Sequence, residues 1–567
     1  MKQKILLLFT LFFIVSVSKA QDREFWFVTN YLGYNATLNN RGGFFFSNAN
    51  EKDATVTIYY YKTNITQTIT IPAKSGYAHT LTGTFISTNI TATFDGIVRN
   101  CGVHITSTEK VSVYFHWNQA GYEYIISLKG KAALGTEFYV TQVNDRWSTA
   151  DASYAYDCIN IVAPQDGTII NFTPTRNCYG SGGNFMAGTT YTRTLNKGQT
   201  FSFRELDRYS GPIGTFSSLA GTHVTSNKPI AVTSTEGVNA DPAADQLIPV
   251  TRLGTDYVIV KGFGATANSE RTYITATENN TKVYATPESG AETLLATLDA
   301  GKTTVYIMGN KNAAPYVLTI RADKPVSVMQ YVDVNQLQVA SHTDGAAVPD
   351  LTNLSAGNYS FYNIFSASDV YNAILTIYKK GSREDFTIAY NGNTYPITAS
   401  NAGTIVRYGD VPGYPNLEYM QWELPAASRG MLVNVNNLTS AYTLGYYSAS
   451  ILTFYTTFAY FSTFTGGDER DICSGEYIDP LTGFLPLLTS TETYQWQSSL
   501  DSGVWTNITG ATSDSYSAPN NKRGTTYYRI TKVDNGIITA SGQPIKVRIR
   551  SCQLPVNHNI SAMGYYD

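Results

Sequence analysis

Four short sequence motifs recur in the same order along most of the 567-residue chain. Their period is about 100 to 120 residues, far longer than the roughly 20 to 50 residues of solenoid repeats. Each repeat is therefore long enough to form a small β-domain with its own hydrophobic core. This periodicity predicts an architecture of tandem domains.

The first two motifs predict strands. The first is an acidic residue or Asn followed by an aromatic residue and β-formers, at 23–28, 135–140, 254–258 and, more weakly, 357–361. The second is a small residue with apolar residues two and four positions later, at 54–58, 168–172, 281–285 and 373–377. Since strand side chains alternate between faces, this spacing indicates strands with one buried face.

The last two motifs predict turns that lead into strands. A glycine turn recurs at Gly76, Gly198, Gly301 and Gly403, and a lysine before β-formers recurs at 109–113, 227–232 and 323–328. In the last two copies the lysine is followed by proline, which lacks the amide that a strand ladder would use. We therefore expect Lys-Pro in a turn entering a strand.

The composition favours an all-β chain, because 42 Tyr and 26 Phe suit pleated sheets and 45 Gly suit turns. We predict tandem β-sandwich-like repeats near 21–120, 121–237, 238–345 and 346–465. A shared propeller-like or continuous-sheet arrangement of the repeats is the alternative. No long helical pattern interrupts the series.

The first twenty residues carry the features of a signal peptide. Lys2 and Lys4 precede an apolar run at 5–17, and small residues lie before Gln21. We therefore expect export and an extracellular or outer cell-surface location. No later run approaches about 18 apolar residues, so no membrane span is expected in the mature chain. A formal net charge of −3 with scattered Lys and Arg argues against a nucleic-acid partner.

The five cysteines fit structural use in an oxidising compartment. Cys158 and Cys178 are candidates for a local disulfide. Cys473 and Cys552 are candidates for a clasp around a segment that such a bridge would stabilise by about 4 kcal/mol. Cys101 has no assigned partner.

Three segments of the second and third repeats resemble a known family. The stretches 228–232, 245–250 and 253–260 read Lys-Pro-Ile-Ala-Val, Asp-Gln-Leu-Ile-Pro-Val and Leu-Gly-Thr-Asp-Tyr-Val-Ile-Val. They are similar to the IgGFc-binding protein N-terminal domain family, and the resemblance covers about 21–464. It implies extracellular binding or adhesion, without catalytic residues, as in exported bacterial members of Bacteroidota type. The chain lacks the cysteine density of the mucin-type members, so IgG binding is not transferred.

The segment 466–552 differs from the repeats and resembles the immunoglobulin-like modules of bacterial surface proteins. Trp496 and Trp505, followed by a Tyr-rich stretch at 525–529, suit the core of such a sandwich. A short tail follows at 553–567.

The sequence contains no recognised catalytic motif, and we expect neither enzyme activity nor a cofactor. The six histidines show no metal-ligand spacing and are interpreted as packed or surface residues. Asp241 and Asp245 are weak candidates for calcium ligands. An unrecognised carbohydrate-active site remains an alternative, with carboxylates available at Glu123, Glu137, Glu236 and Asp256.

Aromatic clusters are the candidate ligand-binding residues, because Tyr offers large contact area at low entropic cost. The candidates, which could stack on sugars or contact protein, are Tyr59, Tyr60, Tyr61, His116, Trp117, Tyr122 and Tyr124. We predict an exported, non-catalytic adhesion protein that recognises a host or extracellular protein or glycan through its loops. A structural scaffold of a cell-surface complex is the second interpretation.

Overall fold

The structure is a computed structural model dominated by strands, which confirms the all-β fold class. It describes residues 22–30, 41–119, 122–142, 156–206, 218–238, 243–264, 270–333, 343–351, 355–364, 371–450, 455–460, 469–474, 478, 481–482, 491–501, 503–513, 515–541 and 544–550. The predicted signal peptide and tail lie outside these ranges. Among them, no helix is both long and apolar enough to cross a bilayer.

Four groups of strands, called repeats 1 to 4, follow one another with the same pairing pattern. Repeat 1 contains β1 (Asp22–Phe27), β2 (Thr29–Asn30), β3 (Arg41–Asn48), β4 (Ala54–Tyr60), β5 (Ile65–Ile71), β6 (Ser75–Thr82), α1 (Gly83–Asn89), β7 (Thr91–Ala92), β8 (Asp95–Arg99), β9 (Val103–Gln119) and β10 (Tyr122–Leu128). Repeat 2 contains β11 (Gly135–Tyr139), β12 (Tyr156–Val162), β13 (Thr168–Thr173), β14 (Cys178–Tyr179), β15 (Tyr191–Leu195), β16 (Thr200–Glu205), β17 (His223–Val238) and β18 (Ala243–Gln246).

The other two repeats complete the series. Repeat 3 contains β19 (Gly254–Val260), β20 (Glu270–Ala276), β21 (Thr281–Pro287), β22 (Thr293–Leu298), β23 (Thr303–Ile307), β24 (Val317–Asp333) and β25 (Thr343–Ala347). Repeat 4 contains β26 (Ser355–Tyr362), β27 (Tyr371–Lys379), β28 (Phe386–Tyr390), β29 (Asn393–Pro396), β30 (Thr404–Val411), β31 (Tyr414–Glu423), β32 (Leu432–Tyr442), β33 (Gly445–Ser450) and β34 (Tyr455–Tyr460). Short 3-10 turns lie at Gly130–Ala133, Val250–Arg252, Arg383–Asp385, Ser400–Ala402 and Ala426–Ser428.

One long strand joins two sheets in each of the first three repeats. The first half of β9 pairs with β1 and β4, and its second half pairs with β3 and β10. β17 of repeat 2 and β24 of repeat 3 likewise pair in one sheet through their first half and in the other sheet through their second half. In repeat 4, two strands replace the single long strand: β32 pairs in one sheet and β33 in the other. The two sheets thus face each other as a sandwich whose inward side chains form the core.

The Lys-Pro motif lies inside these long strands, at the point where the strand passes from one sheet to the other. The expectation that it would lie in a turn entering a strand was wrong. The ladder is irregular there, with a register shift in the partner strand between Gly254 and Asp256. Because Pro325 has no amide hydrogen, it adds no unpaired donor at this interruption.

The fourth copy of the second motif was assigned to the wrong strand. Its residues lie in β27, which pairs with β31 and β33 and corresponds to β3, β12 and β20. The true counterpart of β4, β13 and β21 is β28, which pairs with β29 and β32. Seven consecutive residues of β27 are buried, so alternation could not distinguish its role.

The four strands β10, β18, β25 and β34 pack against one another in a closed cycle, so the repeats share a ring. Polar contacts cross between these strands. Lys129 Nζ lies 2.5 Å from Asp245 Oδ1, and the Ala347 amide donates to Asp245 Oδ2 at 2.9 Å. The four sandwich-like repeats are therefore arranged around a common ring, as the propeller-like alternative from the sequence predicted. The repeat boundaries stay a prediction, since each ring strand pairs with one repeat and packs on others.

Neighbouring repeats also meet outside the ring, at seams formed by turns and strand residues. β8 of repeat 1 pairs with β16 of repeat 2. The Gly102 amide donates to the Gly198 carbonyl at 3.1 Å between repeats 1 and 2, and Thr319 Oγ1 donates to the Pro412 carbonyl at 2.7 Å between repeats 3 and 4. Between repeats 4 and 1, the Tyr114 hydroxyl donates to the Tyr362 carbonyl.

The C-terminal segment forms its own compact unit, spanning 351–353 and 465–567. Its strands are β35 (Glu469–Cys473), β36 (Leu481–Thr482), β37 (Glu492–Ser499), β38 (Thr506–Asn507), β39 (Ser515–Tyr516), β40 (Gly524–Asp534), β41 (Ile537–Ser541) and β42 (Ile545–Arg550). Trp496 is fully buried and donates from Nε1 to the Ser513 carbonyl at 2.9 Å. The immunoglobulin-like interpretation stays a prediction.

The candidate disulfide between Cys158 and Cys178 is not present, because both are free, buried thiols. Both residues pair with β16, from opposite sides. Two strand spacings of about 4.8 Å separate them, more than a disulfide spans. Cys101 is also a buried thiol. Cys552 and the side chain of Cys473 lie outside the described part of the structure.

Candidate functional site

Most of the aromatic candidates are core residues. Tyr60 and Tyr124 are fully buried, and His116 and Trp117 are almost so. They cannot contact a partner at the surface, so their assignment as ligand-binding residues was wrong. Adjacent strand residues point to opposite faces, and consecutive aromatics therefore cannot form one exposed cluster. The side chain of Tyr122 lies outside the described residues.

Tyr59 and Tyr61 are half-buried and belong to the outer face of repeat 1. Their rings meet edge to face, with centroids 4.6 Å apart. Tyr59 lies directly opposite Thr66 on one neighbouring strand and His104 on the other. His104 in turn lies opposite Trp26. The row Thr66, Tyr59, His104 and Trp26 therefore crosses four strands.

A second row runs parallel to the first. Thr68, Thr57, Thr106 and Glu24 lie opposite one another across the same four strands. Thr70 and Thr55 begin a third row beyond it. We call the six threonines of these rows (Thr55, Thr57, Thr66, Thr68, Thr70 and Thr106) the threonine face. Their partly or fully exposed side chains alternate with the buried residues of β4.

Glu24, His104 and Trp26 form a bonded cluster at one end of the two complete rows. Glu24 Oε1 lies 3.0 Å from His104 Nε2 and accepts from Trp26 Nε1 at 3.1 Å. The imidazole stacks on the indole, with ring centroids 4.0 Å apart. The hydrogen bond with His104 lowers the pKa of Glu24 to about 2, because it favours the ionised carboxylate more than partial burial disfavours it.

The next repeat covers this end of the face. Gly198, in the glycine turn of repeat 2, adopts φ of +77°, and a Cβ there would lie 2.0 Å from the Tyr61 ring. The neighbouring Lys197 Nζ lies 5.9 Å from the centroid of the Trp26 ring. Trp26 is consequently buried at the seam, although its strand lies on the outer face.

Repeat 2 contains an equivalent cluster. His223 Nε2 lies 2.9 Å from Glu137 Oε1, and the imidazole stacks on Tyr139 with ring centroids 4.3 Å apart. In repeat 3 the corresponding positions hold Asp256, Val258 and Thr319, without histidine. Each histidine lies 80 or more residues from its glutamate in sequence, so spacing alone did not reveal the pairs. The sequence signal that could have identified the pairs is that both histidines lie a few residues before the fourth motif.

Neither calcium ligation nor glycoside cleavage gains support from the carboxylates. Asp245 is buried against Lys129, and Asp241 lies outside the described residues. Glu137 and Asp256 occupy equivalent places in different repeats, and the side chains of Glu123 and Glu236 are not described. Across the described ranges, no group of three or more His, Cys, Asp or Glu side chains could hold a metal ion.

Comparisons with known proteins match two sequence families. The model of the family described as IgGFc binding protein matches residues 125–447, which is more than half of the chain. A domain of unknown function, DUF8696, matches residues 462–551. No curated protein matches the chain.

Solved structures that share similarity with the chain include two bacterial ice-binding adhesins and a domain of a biofilm-associated protein. A Ca²⁺-stabilised ice-binding adhesin of an Antarctic bacterium is 12% identical, with 79% of this chain and 99% of that chain covered and a TM-score of 0.11. A 1.5-MDa bacterial ice-binding adhesin is 10% identical, with 53% and 86% covered and a TM-score of 0.09. The BSP domain of a biofilm-associated protein is 8% identical, with 76% and 98% covered and a TM-score of 0.12.

Proposed function

The chain belongs to the IgGFc binding protein family, and we propose that it is an exported, non-catalytic binding or adhesion protein. Its ligand would be an extracellular or host protein or a glycan, met outside the cell or at the outer cell surface. The family match over 125–447 is the observation that carries this proposal. The signal-peptide pattern of the first twenty residues supports export.

The distribution of side chains in the repeats is consistent with binding. Inward aromatic and aliphatic residues form the cores, whereas the outer face of repeat 1 carries half-buried tyrosines and exposed hydroxyl groups. Tyr59 has the properties that binding surfaces use, since its ring offers contact area. Its hydroxyl donates to Asn64 Oδ1 at 2.9 Å and can still accept a hydrogen bond from a ligand. The binding surface that we propose is therefore a sheet face and not only the loops.

An array of glycans and extracellular proteins, including an IgG Fc fragment, tests this function with the intact protein. We expect wild-type protein to bind at least one probe and Tyr59→Ala to bind it more weakly. Tyr408→Ala is the matched control, because Tyr408 is 55% exposed in repeat 4, away from this face. The control should bind as wild type does.

Two results would overturn the proposal. Binding to no probe would favour the scaffold interpretation, in which the chain contacts only its own assembly partners. Release of soluble products from a glycan, abolished by a single carboxylate substitution such as Glu137→Gln, would identify an enzyme.

A further inference from the structure

The threonine face of repeat 1 is a regular array of hydroxyl groups. Its residues repeat about every 6.7 Å along each strand and about every 4.8 Å across strands, as in any flat pleated sheet. Thr57 lies directly between Thr68 and Thr106, and Thr55 lies opposite Thr70. The array spans three strands of one sheet face, so it suits an extended ligand more than a single small molecule.

The hydroxyls of this face are free to bind. Within the described part of the chain, none of the six threonine side chains donates or accepts a hydrogen bond, and none is among the residues with further interactions. By contrast, the nearby Thr108 hydroxyl is used, since it accepts from the Thr55 amide at 2.9 Å. Each free hydroxyl can both donate and accept, which is the hydrogen-bonding chemistry of a sugar hydroxyl.

The charge of the threonine face favours a neutral ligand over a strongly ionic one. Lys and Arg are absent from its three rows as described, and its acidic member is Glu24. That carboxylate is already bonded to His104 and Trp26. The cations nearest to the rows lie at their covered end, where Lys197 approaches Trp26 and Lys131 acts on Glu24. An anionic polymer would therefore meet no cation on the threonines themselves, and a cationic one would meet a single carboxylate that already has its partners.

We propose that the threonine face binds a neutral polysaccharide chain lying along the sheet. The threonine hydroxyls would exchange hydrogen bonds with sugar hydroxyls, and the half-buried ring of Tyr59 would contact an apolar sugar face. This inference rests on the proposed binding function and names its ligand class.

Retention of the intact protein on immobilised polysaccharides tests the inference. The probes are neutral mannan, xylan, galactan and dextran, with pectin and heparin as anionic comparisons. The test variant is Thr57→Val/Thr68→Val, which removes two facing hydroxyls while keeping shape and strand propensity. The matched control is Thr194→Val on the exposed β15 of repeat 2.

Wild-type protein should bind at least one neutral polysaccharide, and the test variant should lose about tenfold or more in affinity, as two lost hydrogen bonds imply. The control should be unchanged, and circular dichroism should show both variants folded. If the test variant unfolds, single Thr68→Val and Thr68→Lys variants on the edge strand take its place, with Lys expected to weaken binding more than Val.

The outcomes separate this inference from the broader function. Equal binding by wild type and test variant, or binding to anionic polysaccharides alone, would overturn the threonine face as the site while leaving a binding protein. Binding to a protein probe with no polysaccharide bound would do the same. Binding to no probe of any kind would overturn both.

Discussion

Repeats 1 and 3 share a framework but present different outer faces. In repeat 1, Thr57, Thr106 and Glu24 lie opposite one another across three strands. In repeat 3, the same three positions hold Tyr284, Arg321 and Asp256. One face is nearly uncharged and rich in hydroxyls, whereas the other has a guanidinium group at its centre.

The inward positions of the same strands are conserved in character. Val56 and Ile58 are fully buried in β4, and Val283 and Ala285 are buried in β21. Strand pairing and core packing therefore depend on one set of alternate residues, and the surface chemistry depends on the other. Equal architecture thus permits unequal function among the repeats, and only experiments that treat the two sets separately can test this.

The largest expected effect comes from comparing an inward and an outward residue of the same strand, each replaced by alanine. Tyr60→Ala should destabilise the protein by about 3–5 kcal/mol, because it leaves a cavity in the core of repeat 1. Its hydroxyl also donates to Gln67 at 2.9 Å. Tyr59→Ala should cost less than about 1 kcal/mol, since its ring is half-buried. Urea denaturation followed by tryptophan fluorescence measures both, and equal losses would contradict the division into two sets.

A smaller effect is expected at the seam that covers one end of the outer face. Gly198→Ala should destabilise by about 2 kcal/mol or more, because its φ is +77° and its Cβ would overlap the Tyr61 ring.

Gly392→Ala is the matched control for that seam. Gly392 has φ of +73° with no atom within 4 Å of an added Cβ, so only backbone strain of about 1 kcal/mol is expected. The difference between the two thermal unfolding midpoints reports the contact between repeats 1 and 2. A difference near zero would mean that Tyr61 moves aside freely.

The sequence predicted the repeat, its strands and the all-β class because these depend on local alternation and turn residues. It offered the propeller-like arrangement only as an alternative, since the contact between Lys129 and Asp245 that helps to close the ring joins residues 116 positions apart. It also misread Tyr60 and Trp117, because composition marks aromatics as available while the strand period decides which way each one points. Of the candidate face, Tyr59 and Tyr61 were predicted, whereas the threonines were not.

The free energy of unfolding at acid pH should depend on Glu24, the glutamate that is bonded to His104 and Trp26 in repeat 1. The pKa of Glu24 falls from its ordinary 4.5 to about 2 in the folded protein. A depressed pKa stabilises the fold fully above about pH 4.5, and the contribution is lost as pH falls toward 2. With the carboxylate 39% exposed, solvent screening reduces the expected contribution to about 1 kcal/mol.

Glu24→Gln should therefore destabilise at pH 5.5 and make little difference at pH 2.5, measured by urea denaturation at both values. Glu51→Gln is the control, because Glu51 forms an exposed pair with Lys74 and should shift stability by less than about 0.5 kcal/mol at pH 5.5. A Glu24→Gln effect that is independent of pH would show that shape, and not charge, stabilises this corner.

The smallest effect concerns a feature that repeats 2 and 3 share. Lys228 Nζ donates to the Asp166 carbonyl, and Lys324 Nζ donates to the Asn279 carbonyl, each at 2.6 Å. The lysine of Lys-Pro therefore connects the long strand to the turn that precedes the second motif. Lys324→Ala should cost about 0.5–1 kcal/mol, as expected for a partly exposed hydrogen bond. The control is Lys282→Ala, an exposed lysine of the same repeat. Equal denaturation midpoints for the two variants would show that the framework does not depend on this contact, and that proline alone accounts for the motif.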